Sequence, residues 1–151
     1  MIREIEDKDL DGLMNLYLHL HEISVPKLEG HVLSTWKHIL NDDNYHIIVA
    51  EEDGIIVSSC TCIIVPNLTR NASCYALVEN VVTHSDYRGK GLATACLMHA
   101  KKIAKCRGCY KLMLITGSSN PNTHEFYRKA GYSSEGKTAY YCKLKEVNWR
   151  S

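Results

Sequence analysis

No like-charge block, low-complexity tract or internal repeat interrupts the 151 residues, which excludes a disordered arm and a solenoid or array architecture. An excess of charge of one sign is also missing. With a net charge of +1 and a pI of about 7.6, the chain has no general electrostatic claim on nucleic acid or an anionic membrane, so any anion site must be local. No stretch approaches the roughly 18 apolar residues of a membrane span. "MIREIEDKDL" places charges where a leader peptide needs an apolar core. The expectation is a cytoplasmic protein with no membrane and no nucleic-acid partner.

Cysteine is present, but staple spacing is not. The seven cysteines are odd in number and lie inside apolar runs, which reads as reduced, buried thiols. Cys106 and Cys109 form one C-x-x-C with no second such pair, and their flanks read as a helix end, Gly108 and a strand start. No metal is expected. With 45% hydrophobic and 23% charged residues, the composition is globular. The length is that of a single domain spanning residues 1–151.

Periodicity orders the elements. "IREIE" alternates as a short strand, and Leu10, Leu13, Met14, Leu16, Tyr17 and Leu20 recur at helical spacing. Val32, Leu33, Trp36, Ile39 and Leu40 predict a second helix ending at "NDDN". "YHIIVA" and "GIIVSSCTCIIV" are β-branched runs joined through Asp53-Gly54, a hairpin signal, and "CYALVENVVT" completes an antiparallel meander. From Leu92 to Ala104 the residues Leu92, Ala93, Cys96, Leu97, Ala100, Ile103 and Ala104 make one apolar stripe. Lys101, Lys102 and Lys105 suit the C-terminal end of a helix dipole. A strand over 110–116, a short helix over 123–130 and a last strand over 141–147 follow. The expected class is α/β: a mixed α+β sheet, an antiparallel meander plus a central β-α-β unit, with helices on both faces.

The densest chemical signal is "HSDYRGKGLATACL" at the strand-to-helix junction. Gly89 and Gly91 allow close backbone approach and positive φ, and the following helix opens with unpaired amide N–H groups. Arg88 and Lys90 add cationic side chains, so the segment suits a diphosphate. A glycine-eased turn with solvated basic residues is the competing reading. A Walker loop is absent, and the dinucleotide fingerprint would need glycine where Thr94 stands. Arg88-Gly89-Lys90-Gly91-Leu92-Ala93 fits a different pattern, Gln/Arg-x-x-Gly-x-Gly/Ala, opening a helix after a meander.

With that pattern, "ALVENVVTHSDYRGKGLA", "GCYKLMLIT" and "NPNTHEFYRKAGY" together resemble the GNAT superfamily of acetyl-CoA-dependent N-acetyltransferases over nearly the full length. The resemblance implies acetyl-CoA as co-substrate. The pyrophosphate would lie on Arg88, Gly89, Lys90, Gly91, Leu92 and Ala93, and the pantetheine along the strand from Glu79 to Val82. It implies Asn120 as a cofactor contact, although a loop or cap role accounts for it equally well.

Acetyl transfer to an amine needs a deprotonated nucleophile, a polarised thioester carbonyl and a proton for the leaving thiolate. The resemblance puts the Tyr127 hydroxyl near the sulfur; a phenol of pKa about 10 donates to a thiolate of about 8.5 only mildly uphill. Glu79, beside the expected thioester, is the candidate base, and a backbone N–H of Val81 or Val82 the candidate oxyanion donor. Read without the resemblance, Tyr127 is a packing aromatic and Glu79 a strand-face carboxylate. The same resemblance points to Tyr17, His19, His21 and Glu22 as lining the acceptor pocket, with surface-helix positions as the alternative. The acceptor would be a small-molecule amine (aminosugar phosphate, amino acid or polyamine-like) or a protein amine. "VENVV", "YRGK", "GCYK" and "FYRKAGY" are similar to glucosamine-6-phosphate N-acetyltransferases, which makes an aminosugar phosphate one concrete acceptor. A non-catalytic acyl-CoA-binding or regulatory domain remains the alternative function, and a homodimer is left open.

Overall fold

The structure is a computed structural model that describes residues 1–20 and 22–144. They group into two compact units, Met1–Leu114 and the chain from Ile115 onward.

The first unit is built on a five-stranded sheet in the order β1 (Ile2–Glu4), β2 (Tyr45–Glu52), β3 (Ile55–Val65), β4 (Tyr75–Thr83) and β5 (Leu112–Leu114). The first four strands pair antiparallel, and β4 pairs with β5 in parallel. Such a parallel pair requires a crossover, here α4 (Leu92–Cys106). The Asp53-Gly54 hairpin forms as expected, with both residues at positive φ, 50° and 79°. α1 (Leu10–Tyr17) and α2 (His31–Leu40) stand between β1 and β2 in sequence.

Two-residue alternation along β2 divides the core. Ile47 and Val49, with Ile56 and Val82, pack against Leu13 and Leu16 of α1 and Trp36 of α2. On the opposite side of the strand, Ile48 and Ala50 share a face with their partners Cys60 and Ser58. That face lies under α4: the Cys62 thiol donates to the Ala100 carbonyl at 4.0 Å, and Cys96, Leu97 and Ala100 are fully buried. Helices therefore cover both faces of the sheet. Burying three or four such aliphatic side chains per face contributes roughly 2 kcal/mol each. Burial also pushes the Cys62 and Cys96 thiols up to about 11, and Cys60 higher still, so these three sulfurs are inert core atoms as read from the sequence, whereas Cys106 and Cys142, expected buried as well, are exposed.

At the β1 edge, Arg3 pairs with Asp9 through Nη1–Oδ2 at 2.6 Å and Nη2–Oδ1 at 3.0 Å, and with Glu51 at 2.6 Å. Asp9 Oδ2 also accepts from the Glu6 backbone N–H at 2.7 Å, so one carboxylate ties the strand to the helix that follows. α3 (Thr69–Ala72) is a single turn between β3 and β4, in which Arg70, Asn71 and Ala72 have φ of 54°, 59° and 58°.

In the second unit, α5 (Pro121–Lys129) begins two residues earlier than expected, because Asn120 caps it and Pro121 fits its first turn. One expectation is corrected. Tyr141–Leu144, the described part of the last predicted strand, carries no strand, and the remainder, 145–147, lies outside the described residues. Tyr140, Tyr141 and Leu144 are 90%, 85% and 91% exposed, so no packed surface draws this segment into a sheet. Among the described residues, no helix is long and apolar enough to cross a membrane.

Candidate active site

The centre of the first unit's candidate site is an irregularity in β4. Thr61 pairs with Glu79 and Ser59 with Val82, so the single residue Cys60 faces two, Asn80 and Val81. This is a β-bulge, and Asn80 takes φ of 51°, a conformation that Asn tolerates better than other residues with side chains. A bulge leaves the extra residue outside the ladder and turns its backbone groups away from the neighbouring strand. The sequence-predicted donors Val81 and Val82 stand at this bulge. Val82 is buried in the α1–α2 face, Val81 is half-buried, and Glu79 is exposed.

Polar groups collect beneath the bulge. Burial pushes the Tyr17 phenol up to about 12, against the smaller opposing pull of its contacts with Thr61 and Asn80. Tyr45 is raised by burial and then by the Glu79 charge, which places that carboxylate within reach of the same face. Ser59 Oγ and Thr61 Oγ1 are buried with no hydrogen bond of good geometry among the described residues. Tyr17 is thus a neutral hydroxyl at working pH, positioned by α1 against the bulge.

The cradle follows directly. A 3-10 turn at Ser85–Tyr87 is capped by His84, whose Nδ1 accepts from the Asp86 N–H at 3.2 Å. Gly89 and Gly91 then take φ of 75° and 78°, and Gly91 is the left-handed residue preceding α4. A Cβ at either glycine would meet no atom of the described residues within 4 Å, so backbone conformation rather than space requires glycine there. Among the described residues no side chain caps α4, and its first intrahelical bond is Ala95 N–H to Gly91 O at 3.0 Å. The N–H groups of Leu92, Ala93 and Thr94 therefore point out of an uncapped, fifteen-residue helix carrying its full dipole. Arg88 Nε donates to Thr83 O at 3.3 Å, turning the guanidinium back along the end of β4, and Lys90 Nζ lies 4.5 Å from the Tyr87 ring centroid. Bare amides at a helix start with two cations beside them are groups of the kind that suit a diphosphate.

Of the expected acceptor-pocket residues, two meet this geometry. Tyr17 reaches the bulge, and the His19 ring lies 4.2 Å from the His84 ring at the start of the cradle. Glu22 is exposed beyond the end of α1, and His21 lies outside the described residues. In the second unit, Asn120 Oδ1 accepts from the Asn122 N–H at 2.9 Å, so its cap role is realised. Tyr127 sits on α5 with its ring 5.0 Å from Phe126 and 6.1 Å, edge-on, from Tyr132.

Sequence reading missed Asn80, Thr61 and His84. Asn80 had a signal: a lone Asn inside the β-branched run "VENVV" marks a bulge better than a regular strand position. Thr61 and His84 carried none, since their significance arises from cross-strand register and ring contact.

A family model described as the acetyltransferase (GNAT) family matches residues 10–132. The chain belongs to the GNAT acetyltransferase family. It is an N-acetyltransferase. A glucosamine 6-phosphate N-acetyltransferase of Trypanosoma brucei brucei is 31% identical over 133 residues, 87% of each chain. Among solved structures, a candidate acetyltransferase from Agrobacterium tumefaciens str. C58 is 38% identical with a TM-score of 0.86, covering 95% of this chain and 99% of that one. The glucosamine-6-phosphate N-acetyltransferase of Arabidopsis thaliana is 28% identical with a TM-score of 0.83, covering 97% and 98%. The GNAT match starts within α1 and ends just past α5, so it takes in the bulge, the cradle and the Tyr127 helix alike.

Proposed function

We propose that the chain acts as a single acetyltransferase domain moving the acetyl group of acetyl-CoA to a primary amine by direct attack. The observation that carries this reading is the continuity of the β4 bulge with the uncapped N-terminus of α4: one chain segment offers free backbone groups for an amide-rich arm and, a few residues on, an anion site for its diphosphate. Acetyl-CoA supplies the activated acyl group as a thioester.

The protein's own groups would do the rest. The amides of Leu92 and Ala93, the backbone of Gly89 and Gly91, and the Arg88 and Lys90 side chains hold the diphosphate. The Val81 or Val82 N–H at the bulge stabilises the oxyanion. Glu79, directly or through water, accepts a proton from the incoming ammonium. Tyr127 donates to the departing sulfur, and Asn120 contributes to the cofactor cleft. Tyr17 and His19 border the acceptor, with His21 and Glu22 on the segment that follows.

An aminosugar phosphate is the first acceptor to test, supported by the 31% identity to the trypanosomal enzyme over 87% of the chain. Purified protein with acetyl-CoA and a panel of amines (glucosamine 6-phosphate, amino acids, polyamines, a lysine peptide), followed by thiol release, tests both levels of the proposal. Turnover with glucosamine 6-phosphate supports the full reading. Turnover with another amine keeps acetyl transfer and overturns the acceptor. Coenzyme A binding without turnover on any amine, unchanged by Tyr127→Phe, supports the non-catalytic alternative.

A further inference from the structure

Away from the cradle, at the opposite end of β4, two thiols meet. Cys74 precedes β4, Cys109 lies between α4 and β5, and their Sγ atoms are 3.0 Å apart. Backbone bonds fix both positions: the Tyr110 N–H donates to Cys74 O at 2.9 Å, the Ala76 N–H to Lys111 O at 3.0 Å, and the Cys109 N–H to Ala104 O at 2.9 Å. The Cys74 thiol also donates to Arg107 O at 3.3 Å. These sulfurs are half-buried, unlike the sealed Cys60, Cys62 and Cys96.

Cys74 opens onto a cleft of about 370 Å³ whose walls include Asn67, Ala72, Ser73, Arg107 and Gly108. One wall is the left-handed turn of α3, a conformation that side-chain-bearing residues hold in succession only when the surroundings dictate it. Asn67 Nδ2 dictates it, donating to Thr69 O at 3.1 Å and Ser73 O at 3.0 Å. The chain leading into Cys74 is therefore held against the cleft, and a small solute has access to its sulfur.

We propose that Cys74 and Cys109 form a peroxide-sensitive dithiol that closes reversibly to a disulfide around the cradle. The Cys74 sulfur attacks a peroxide oxygen; an S–O bond forms, the O–O bond breaks, and the thiol proton leaves with the displaced hydroxide as water. The Cys109 sulfur then attacks the Cys74 sulfur; the S–S bond forms, the S–O bond breaks, and the second thiol proton leaves in a second water. Two electrons pass from the two sulfurs to the two peroxide oxygens. The order follows from the surroundings, because burial and then the adjacent Cys74 sulfur push the Cys109 thiol up to about 12, keeping it protonated, whereas Cys74 faces the cleft. A dithiol reductant reverses the closure by exchange.

Closure would join Cys74 to Cys109 and make a covalent ring that contains all of β4, its bulge, the cradle and α4. Both ends of the cofactor-binding segment would then be tied together. The test is hydrogen peroxide treatment of the full-length protein, alkylation, and peptide mapping without reduction, on the wild type and on Cys106→Ser. A Cys74–Cys109 linked peptide in both proteins, lost on adding dithiothreitol, is the expected result, with amide exchange over 74–78 and 107–112 slowed about tenfold in the oxidised form. Linkage of either cysteine to Cys106 overturns the proposal, as does recovery of both thiols alkylated or oxidised singly to sulfinic acid. Cys74→Ser and Cys109→Ser, checked for folding by their melting temperatures in the reduced state, should each abolish the linked peptide.

Discussion

Replacing Gly91 by alanine separates the cradle's role in binding from its role in folding. Gly91 has φ of 78° directly before α4, and an added Cβ meets no atom of the described residues within 4 Å, so the change brings no clash with them. Two effects remain. A left-handed conformation costs an L-residue roughly 1–2 kcal/mol, while the stiffer unfolded chain adds a comparable destabilising contribution of about 0.4–1 kcal/mol to the unfolded state. The net loss is about 1 kcal/mol, a fall in Tm of about 2–4 °C at this chain length. If the backbone instead relaxes out of the left-handed region, the amides of Leu92 and Ala93 turn away from the proposed diphosphate site. Each charge-assisted bond so lost is worth about 1.5–3 kcal/mol, or roughly 10- to 100-fold in coenzyme A affinity. Calorimetric titration at 15 °C, far below any plausible melting point, keeps the two effects apart. Coenzyme A should bind at least tenfold more weakly to Gly91→Ala, and pantetheine, which has no diphosphate, should bind unchanged. If both ligands keep their wild-type affinity while Tm falls, Gly91 is a helix-start residue only and the diphosphate assignment fails.

The bulge is addressed at Asn80: Asn80→Gly should keep both stability and kcat within a factor of about two, whereas Asn80→Val, forced to φ of 51°, should lower stability by about 1–2 kcal/mol and reduce kcat more than KM, as followed by thermal melts and thiol release. Tyr127→Phe should lower kcat by roughly 10- to 100-fold with little change in coenzyme A affinity, and an equal fall in binding would make the residue a packing aromatic instead. Asp9→Asn tests the strand–helix tie. The Arg3 hydrogen bonds hold the Asp9 carboxyl below its ordinary 3.8, so the folded protein releases this proton more readily than the unfolded chain. The pair's stabilisation is complete above pH of about 5 and is lost as acid titrates the folded carboxylate below about 4. The variant should be about 2 kcal/mol less stable at neutral pH, with a gap that narrows towards pH 3 in urea melts.

What the sequence made legible were features with a local cause. The meander showed in β-branched runs and the Asp53-Gly54 turn, α4 in its apolar stripe, and the cradle in two glycines whose positive φ is a property of the residue itself. For Asn120 the sequence left a cap role open beside a cofactor contact, and Pro121 is the local signal that makes it the cap of a helix starting two residues before the predicted one. What was hidden depends on partners distant in sequence. The Tyr17 position beneath the bulge needs the register that sets Thr61 opposite Glu79, and the meeting of Cys74 with Cys109 needs the parallel pairing of β4 with β5. The strand expected over 141–147 shows the converse error. Cys142 and Leu144 alternating with Lys143 and Lys145 satisfy a strand pattern, yet a pattern fixes a strand only where another strand offers hydrogen bonds, and Tyr141–Leu144 lies exposed.

Bulge and cradle answer one geometric demand at two points along the same chain. A long ligand with amides at one end and a diphosphate at the other needs free backbone groups, then an anion site, without the protein burying unsatisfied donors in between. A regular β4 would give every group on its β3 side to that strand; the bulge at Asn80–Val81 withholds some of them locally, while Ser59↔Val82 restores the ladder at once, so the strand keeps its place in the core. The positive φ of Gly89 and Gly91 then turns the chain sharply enough for α4 to start with bare amides beside the end of that strand. His84 caps the intervening 3-10 turn and sets its ring 4.2 Å from that of His19, which ties the turn to the end of α1. Altering the bulge should therefore change chemistry at the thioester, and altering the glycines should change grip on the phosphates, with little crossover between kcat and affinity.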